Sequence, residues 1–233
     1  MSFIERIRTG SGSSMTYHFA VTDRNRPAWP ANFKQTLLAN FVRTRYARQT
    51  TLSQLLTGYQ VIDDNVDGVL DALERRHLVS WHDLCTLYAH YANMFCNTAI
   101  AKIDVNSDMG SSLRYLFKVV LGDRQESQLY TAGMTSTANR FAGALSSEKS
   151  RLNASENNVF IGPARNNRSI GRDFDRAIEF VDPRDHVVNR RQVEKLRACW
   201  LILKPLVEND FGMGVGANEP RRSSRISMQT DEN

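Results

Sequence analysis

The chain has 233 residues, 30 Lys and Arg against 25 Asp and Glu, a formal charge of +5 and three cysteines, with an isoelectric point near 9.3 and a mean hydropathy of −0.43. That length supports one good core or two small ones, and no apolar run approaches the roughly 20 residues of a membrane helix. The sparse, odd cysteine count (Cys85, Cys96, Cys199) forms no disulfide framework and fits a reducing compartment. A modest basic excess permits an anionic partner such as nucleic acid without demanding one.

Residues 1–30 read as an N-terminal arm. The opening MSFIERIRTGSGSS lacks the apolar stretch of a secretory signal, so none is expected. Its glycine and serine run at 10–14 favours coil, and 17–21 is a short extended piece able to dock on the body. Pro27 and Pro30 bracket Trp29 and bar a helix before about residue 31. From there the pattern is helical. Phe33, Leu37, Leu38, Phe41 and Val42 recur at steps of three and four, with Arg43, Arg45 and Arg48 at the basic end, and a second helix covers 51–59. Asp63, Asp64 and Asn65 open a further helix whose apolar stripe is Val66, Val69, Leu70 and Leu73.

Ser80, with Asp83 three places on, is an N-cap signal for the clearest core helix of this half: Leu84, Leu87, Tyr88, Tyr91, Met94 and Phe95. His77, His82, Cys85, His90 and Cys96 crowd the same stretch, but without the paired spacings of a zinc site. Residues 104–115 have carboxylates like a calcium loop, yet the glycine falls one place late at Gly110 and Tyr115 stands where glutamate is required. Ser111 and Ser112 are candidate caps for a helix over 113–121, ended by Gly122 and Asp123. Another helix is expected from about 135 to 152, carrying Arg140, followed by a polar break at 153–158 and a Gly162–Pro163 turn. The last helix, over 189–208, places Val193, Leu196, Trp200, Leu203 and Val207 on one face, with Pro205 to kink or end it. Residues 210–233, with a basic cluster at Arg221, Arg222 and Arg225, read as a C-terminal tail.

The expected fold is therefore mainly α: a single helical core over 31–209 with extended flexible arms at 1–30 and 210–233. No nucleophile elbow, zinc-protease pair or complete Walker loop is present, and ion pairing accounts for Asp173 and Asp175, so neither an enzyme nor a cofactor is expected. The stretch 160–173 gathers Arg165, Arg168 and Arg172 with the amides of Asn166 and Asn167, which suits a groove holding a phosphate backbone.

The segment Ala177-Ile178-Glu179-Phe180, followed by a Pro183 loop and the charged helix over 188–203, resembles the C-terminal signature of the coat proteins of flexible filamentous plant viruses, the potyvirus and potexvirus kinds. Arg165 to Arg168 sit where that family carries an arginine- and asparagine-containing segment. The family's pocket arginine matches Arg140, 39 residues before Glu179, with Ser136 or Thr137 supplying the hydroxyl; Arg114, in Ser112-Leu-Arg114, is the alternative. The chain departs from the pattern in having glutamate for aspartate and Ile178 for the first phenylalanine. Asn189-Arg190-Arg191 and the following helix bear a weaker resemblance to rod-shaped plant-virus coat proteins. Either resemblance implies a subunit that polymerises helically around single-stranded genomic RNA. It would bind phosphates without reading sequence, hook onto neighbouring copies through its arms, and reside in the virion and host cytoplasm; the residues themselves give no expectation of a membrane or a metal. A helical protein-interaction or regulatory module with no coat role is the alternative function.

Overall fold

The structure, a computed structural model, describes residues 2–12, 15–30, 61–62, 70–71, 73–96, 102–163, 174 and 190–208. The helices expected over 31–59 and the whole segment 209–233 lie outside the described residues.

Two short strands, β1 (Ile4–Thr9) and β2 (Thr16–Val21), pair antiparallel with Ile4 opposite Val21 and Thr9 opposite Thr16. Gly10 and Gly12 between them take positive φ, where a side chain would be strained, so the glycines permit the reversal. Phe3, Ile4, Phe19 and Val21 are buried in the main core. The extended piece expected at 17–21 is β2, docked on the body; glycine and serine at 10–14, expected as part of an arm, link it to β1, and the apolar face of both strands belongs to the core. The segment after the hairpin is also held. The Trp81 indole N–H donates to the Arg24 carbonyl at 2.7 Å, the Asn153 amide donates to the Pro27 carbonyl at 3.0 Å, and Trp29 stacks on the His77 ring at 5.3 Å.

Two further two-stranded sheets are short. β3 (Val61–Ile62) pairs with β4 (Leu70–Asp71), and β5 (Leu73–His77) pairs antiparallel with β6 (Val159–Pro163) in the register His77 to Val159. Leu70 and Leu73 were expected on a helix and Gly162–Pro163 in a turn. All four lie in strands: Leu70 pairs with Ile62, eight positions earlier, and β5 pairs with β6 across more than 80 positions, so strand pairing overrides the local spacing.

The helical body begins with α1 (Trp81–Asn93). Its capping box forms as the sequence suggests: Ser80 Oγ accepts the Asp83 N–H at 3.1 Å and donates to Asp83 Oδ2 at 2.7 Å. Leu84, Leu87, Tyr88, Tyr91 and Met94 are buried, and Phe95 packs on the core's edge. Near the end of α1, the Asn93 carboxamide accepts the Phe19 N–H at 2.7 Å and donates to the Phe19 carbonyl at 2.9 Å, clamping β2 as a neighbouring strand would.

α2 (Asp108–Leu121) starts earlier than Ser111 or Ser112. Its N-cap is Ser107, whose Oγ accepts the Gly110 N–H at 3.1 Å while its own hydroxyl and N–H bond the Asp104 carbonyl. A Cβ at Gly110 would strike the Asp104 carbonyl, which explains the glycine there. Gly122, at φ 95, ends α2 and at once opens α3 (Asp123–Thr135), a helix the sequence did not announce. Its sequence is too polar for a clear apolar stripe, and only Glu126 and Leu129 on it are buried. The chain breaks at Ser136 and Thr137 before α4 (Ala138–Ser147) and the single turn α5 (Lys149–Asn153), so the one helix expected over 135–152 is two.

The polar break after α5 is an interior latch. Asn158 accepts the Val79 N–H at 2.9 Å and donates to the Val79 carbonyl at 3.2 Å; Asn157 donates to the Val119 carbonyl at 2.8 Å; and a His77 ring nitrogen sits 2.9 Å from the Asn153 carbonyl. α6 (Arg190–Glu208) packs against α2 and α1, burying Leu196, Trp200 and Leu203 as their spacing requires, with Phe174 stacked on Trp200 at 4.7 Å. The helix runs on through Pro205.

Candidate nucleic-acid interface

Three helices build one corner. α2 contributes Arg114, α3 contributes Glu126 and Tyr130, four residues apart and so on one face, and α1 contributes Tyr91. Glu126 is 0% exposed. Its Oε1 accepts Arg114 Nε–H at 2.9 Å and the Tyr91 hydroxyl at 3.3 Å, while its Oε2 has no partner among the described residues. The Arg114 guanidinium lies on the Tyr130 ring, 3.8 Å from its centroid. A planar cation gripped at Nε and stacked on an aromatic face keeps its outer edge, Nη1 and Nη2, for a ligand; that edge bonds no protein acceptor among the described residues.

The electrostatics support this geometry. Burial pulls the Arg114 pKa down, and the hydrogen bond and charge of Glu126 more than offset it, so the group stays cationic. Burial, and after it the Glu126 charge, raises the Tyr91 pKa well above its ordinary value, so Tyr91 remains a neutral donor. A carboxylate buried this deeply is costly unless paired, and here it fixes one arginine at the surface.

A second corner repeats half of the arrangement. Arg6 on β1 places its guanidinium 3.8 Å from the centroid of the Tyr17 ring. Arg6 and Arg8 are both exposed and, two residues apart, share a face of the hairpin. The two corners border the same end of α1: the Cys96 thiol sits 3.1 Å from the Tyr17 carbonyl, and the Phe95 ring meets the Tyr130 ring edge-on at 5.6 Å.

Among the described residues expected to contact RNA, Arg114 is the one paired with a buried acid. Arg140 is exposed on α4, beside Phe141, whose ring contacts Phe95 at 5.3 Å and Phe19 at 5.5 Å; it forms no ion pair among the described residues. Ser136 is exposed at the end of α3. Glu179, Arg165, Arg168 and Arg172 lie outside the described residues, and with them the expected Arg140–Glu179 pair. Glu126, Tyr130 and Arg6 were not singled out from sequence, and Tyr91 and Tyr17 were read only as a core residue and part of an extended piece; the four-residue step from Glu126 to Tyr130 becomes a signal only once α3 is known to be a helix.

Among the described residues no three His, Cys, Asp or Glu side chains are grouped to hold a metal ion, and no helix is long and apolar enough to cross a membrane. No family model, curated protein or solved structure matches the chain.

Proposed function

We propose that this protein is a coat (nucleocapsid) subunit that polymerises around single-stranded genomic RNA, acting in the virion and host cytoplasm without catalysis. The observation that carries the reading is the Arg114 corner: a guanidinium positioned by buried Glu126 and stacked on Tyr130, with two N–H-bearing nitrogens that bond no protein acceptor among the described residues. Such a group grips a phosphate whatever the base. The +5 charge suits it, because repetition along the strand multiplies a few contacts per subunit. The resemblance around Glu179 points to the same class of function. The exposed Leu201 and Ile202 favour the second reading, a helical protein-interaction module with no coat role.

Fluorescence anisotropy against homopolymeric RNA oligomers over a salt series tests the proposal, with negative-stain electron microscopy of the same mixtures. Similar affinities for all bases are expected, together with filaments whose length follows the RNA. Arg114→Met should lower affinity equally for every oligomer and shallow the salt slope by about one. Absence of RNA binding by the wild type at low salt would sink the coat reading and favour the interaction module.

A further inference from the structure

The outer side of α6 is apolar where a solvent-facing helix should be polar. Leu196, Trp200 and Leu203 face the core, while Ala198, Leu201, Ile202 and Pro205 recur at steps of three and four on the opposite side, all exposed, Leu201 at 66% and Ile202 at 38%. A helix apolar on both sides is one that expects a neighbour on both. The charges beside the stripe say which neighbour. Arg197 and Glu208 lie three turns apart along the same edge of the stripe, one near each end. Arg197 forms no ion pair among the described residues, and Glu208 meets Lys204 at a long 3.8 Å.

We infer that this face is a two-fold contact between two copies of the chain, with their α6 helices running antiparallel. A two-fold axis through the middle of the stripe sets each edge against the same edge of the second copy, with its ends reversed. Leu201 and Ile202 then meet their counterparts at the centre, and Arg197 of each copy reaches Glu208 of the other, so two ion pairs form from one self-complementary edge. A parallel arrangement, or an unrelated apolar partner, uses neither charge. The buried area is that of a single helix face, which places the contact in the weak class. It is an association of the free protein, separate from any binding of RNA.

Sedimentation velocity of the full chain without RNA, from low micromolar to several hundred micromolar, tests this. The wild type should pass from monomer to dimer as concentration rises. Leu201→Glu with Ile202→Glu should remain monomeric with an unchanged thermal midpoint. Arg197→Glu should weaken the dimer at least tenfold, and Arg197→Glu combined with Glu208→Arg should restore it. A wild type monomeric throughout, a dimer that survives the double glutamate variant, or a charge swap that restores nothing overturns the proposal. So does a monomer that loses thermal stability when Leu201 and Ile202 become glutamate, since that assigns the face to another part of the same chain.

Discussion

Two corners of the molecule lay an arginine on a tyrosine at the same 3.8 Å, and they differ in what lies beneath. Under Arg114 is a carboxylate sealed from water; under Arg6 is the flank of a hairpin, with no carboxylate partner among the described residues. Stacking alone leaves an exposed guanidinium free to swing, at a gain of about 0.5–1 kcal/mol. Adding a buried acid removes that freedom and makes the arginine part of the core. The difference separates an arginine that merely adds charge from one that holds a defined direction.

Breaking the Arg114 corner should have the largest effect. Arg114→Ala strands the Glu126 carboxylate in the interior and should cost about 3 kcal/mol, read as a lower midpoint in urea denaturation. Replacing both partners at once, Arg114→Met with Glu126→Gln, should recover much of that loss, because the penalty comes from the unpaired charge; no recovery would mean that Glu126 is held by something other than the arginine. Next is the clamp on the hairpin. Asn93→Ala leaves the Phe19 N–H and carbonyl without their side-chain partner and should cost about 2 kcal/mol by the same assay. A cost near zero would return the hairpin to the status of an arm.

Arg6→Ala sharpens the comparison from the other side. Stability should stay within about 0.5 kcal/mol of wild type, while the salt slope of RNA binding falls by about one. A stability loss like that of Arg114→Ala would erase the distinction between the corners. The smallest effect belongs to an ion pair near the hairpin. The hydrogen bond from Lys149 at 2.6 Å, and after it the Asn25 N–H, hold the Asp23 carboxyl below its ordinary value of 3.8. A depressed folded pKa contributes stability above that ordinary value and loses it progressively as pH falls below 3.8. Asp23→Asn should therefore lower the thermal midpoint slightly at neutral pH and converge with wild type in acid.

What was legible in the sequence was local. The Ser80 cap, the stripe of α1 and the Leu196, Trp200 and Leu203 face of α6 depend on residues within a few turns, and these formed as their spacing requires. The hairpin was lost because its glycine–serine link reads as coil until both strands are seen to share an apolar face. β5 was misread because its partner β6 lies more than 80 positions away. At the site, Arg114 stood among the candidates, but Glu126 did not. Their meeting across 12 positions depends on Gly122, which at φ 95 ends α2 and folds α3 back against it. Local periodicity gives no sign of that turn's direction.

The hairpin's attachments also set an order of events during synthesis. β2 is clamped by Asn93, and the Ile4 N–H and carbonyl both bond the Ser146 hydroxyl at 3.3 Å, 142 positions later. The ribosome releases residues 2–21 long before either anchor exists. The strands therefore wait, with Phe3, Ile4 and Phe19 unburied, until α1 and then α4 have emerged. An early-made hairpin is thus among the last elements to find its place, and a nascent chain stalled before residue 146 exposes an apolar surface that the finished protein conceals.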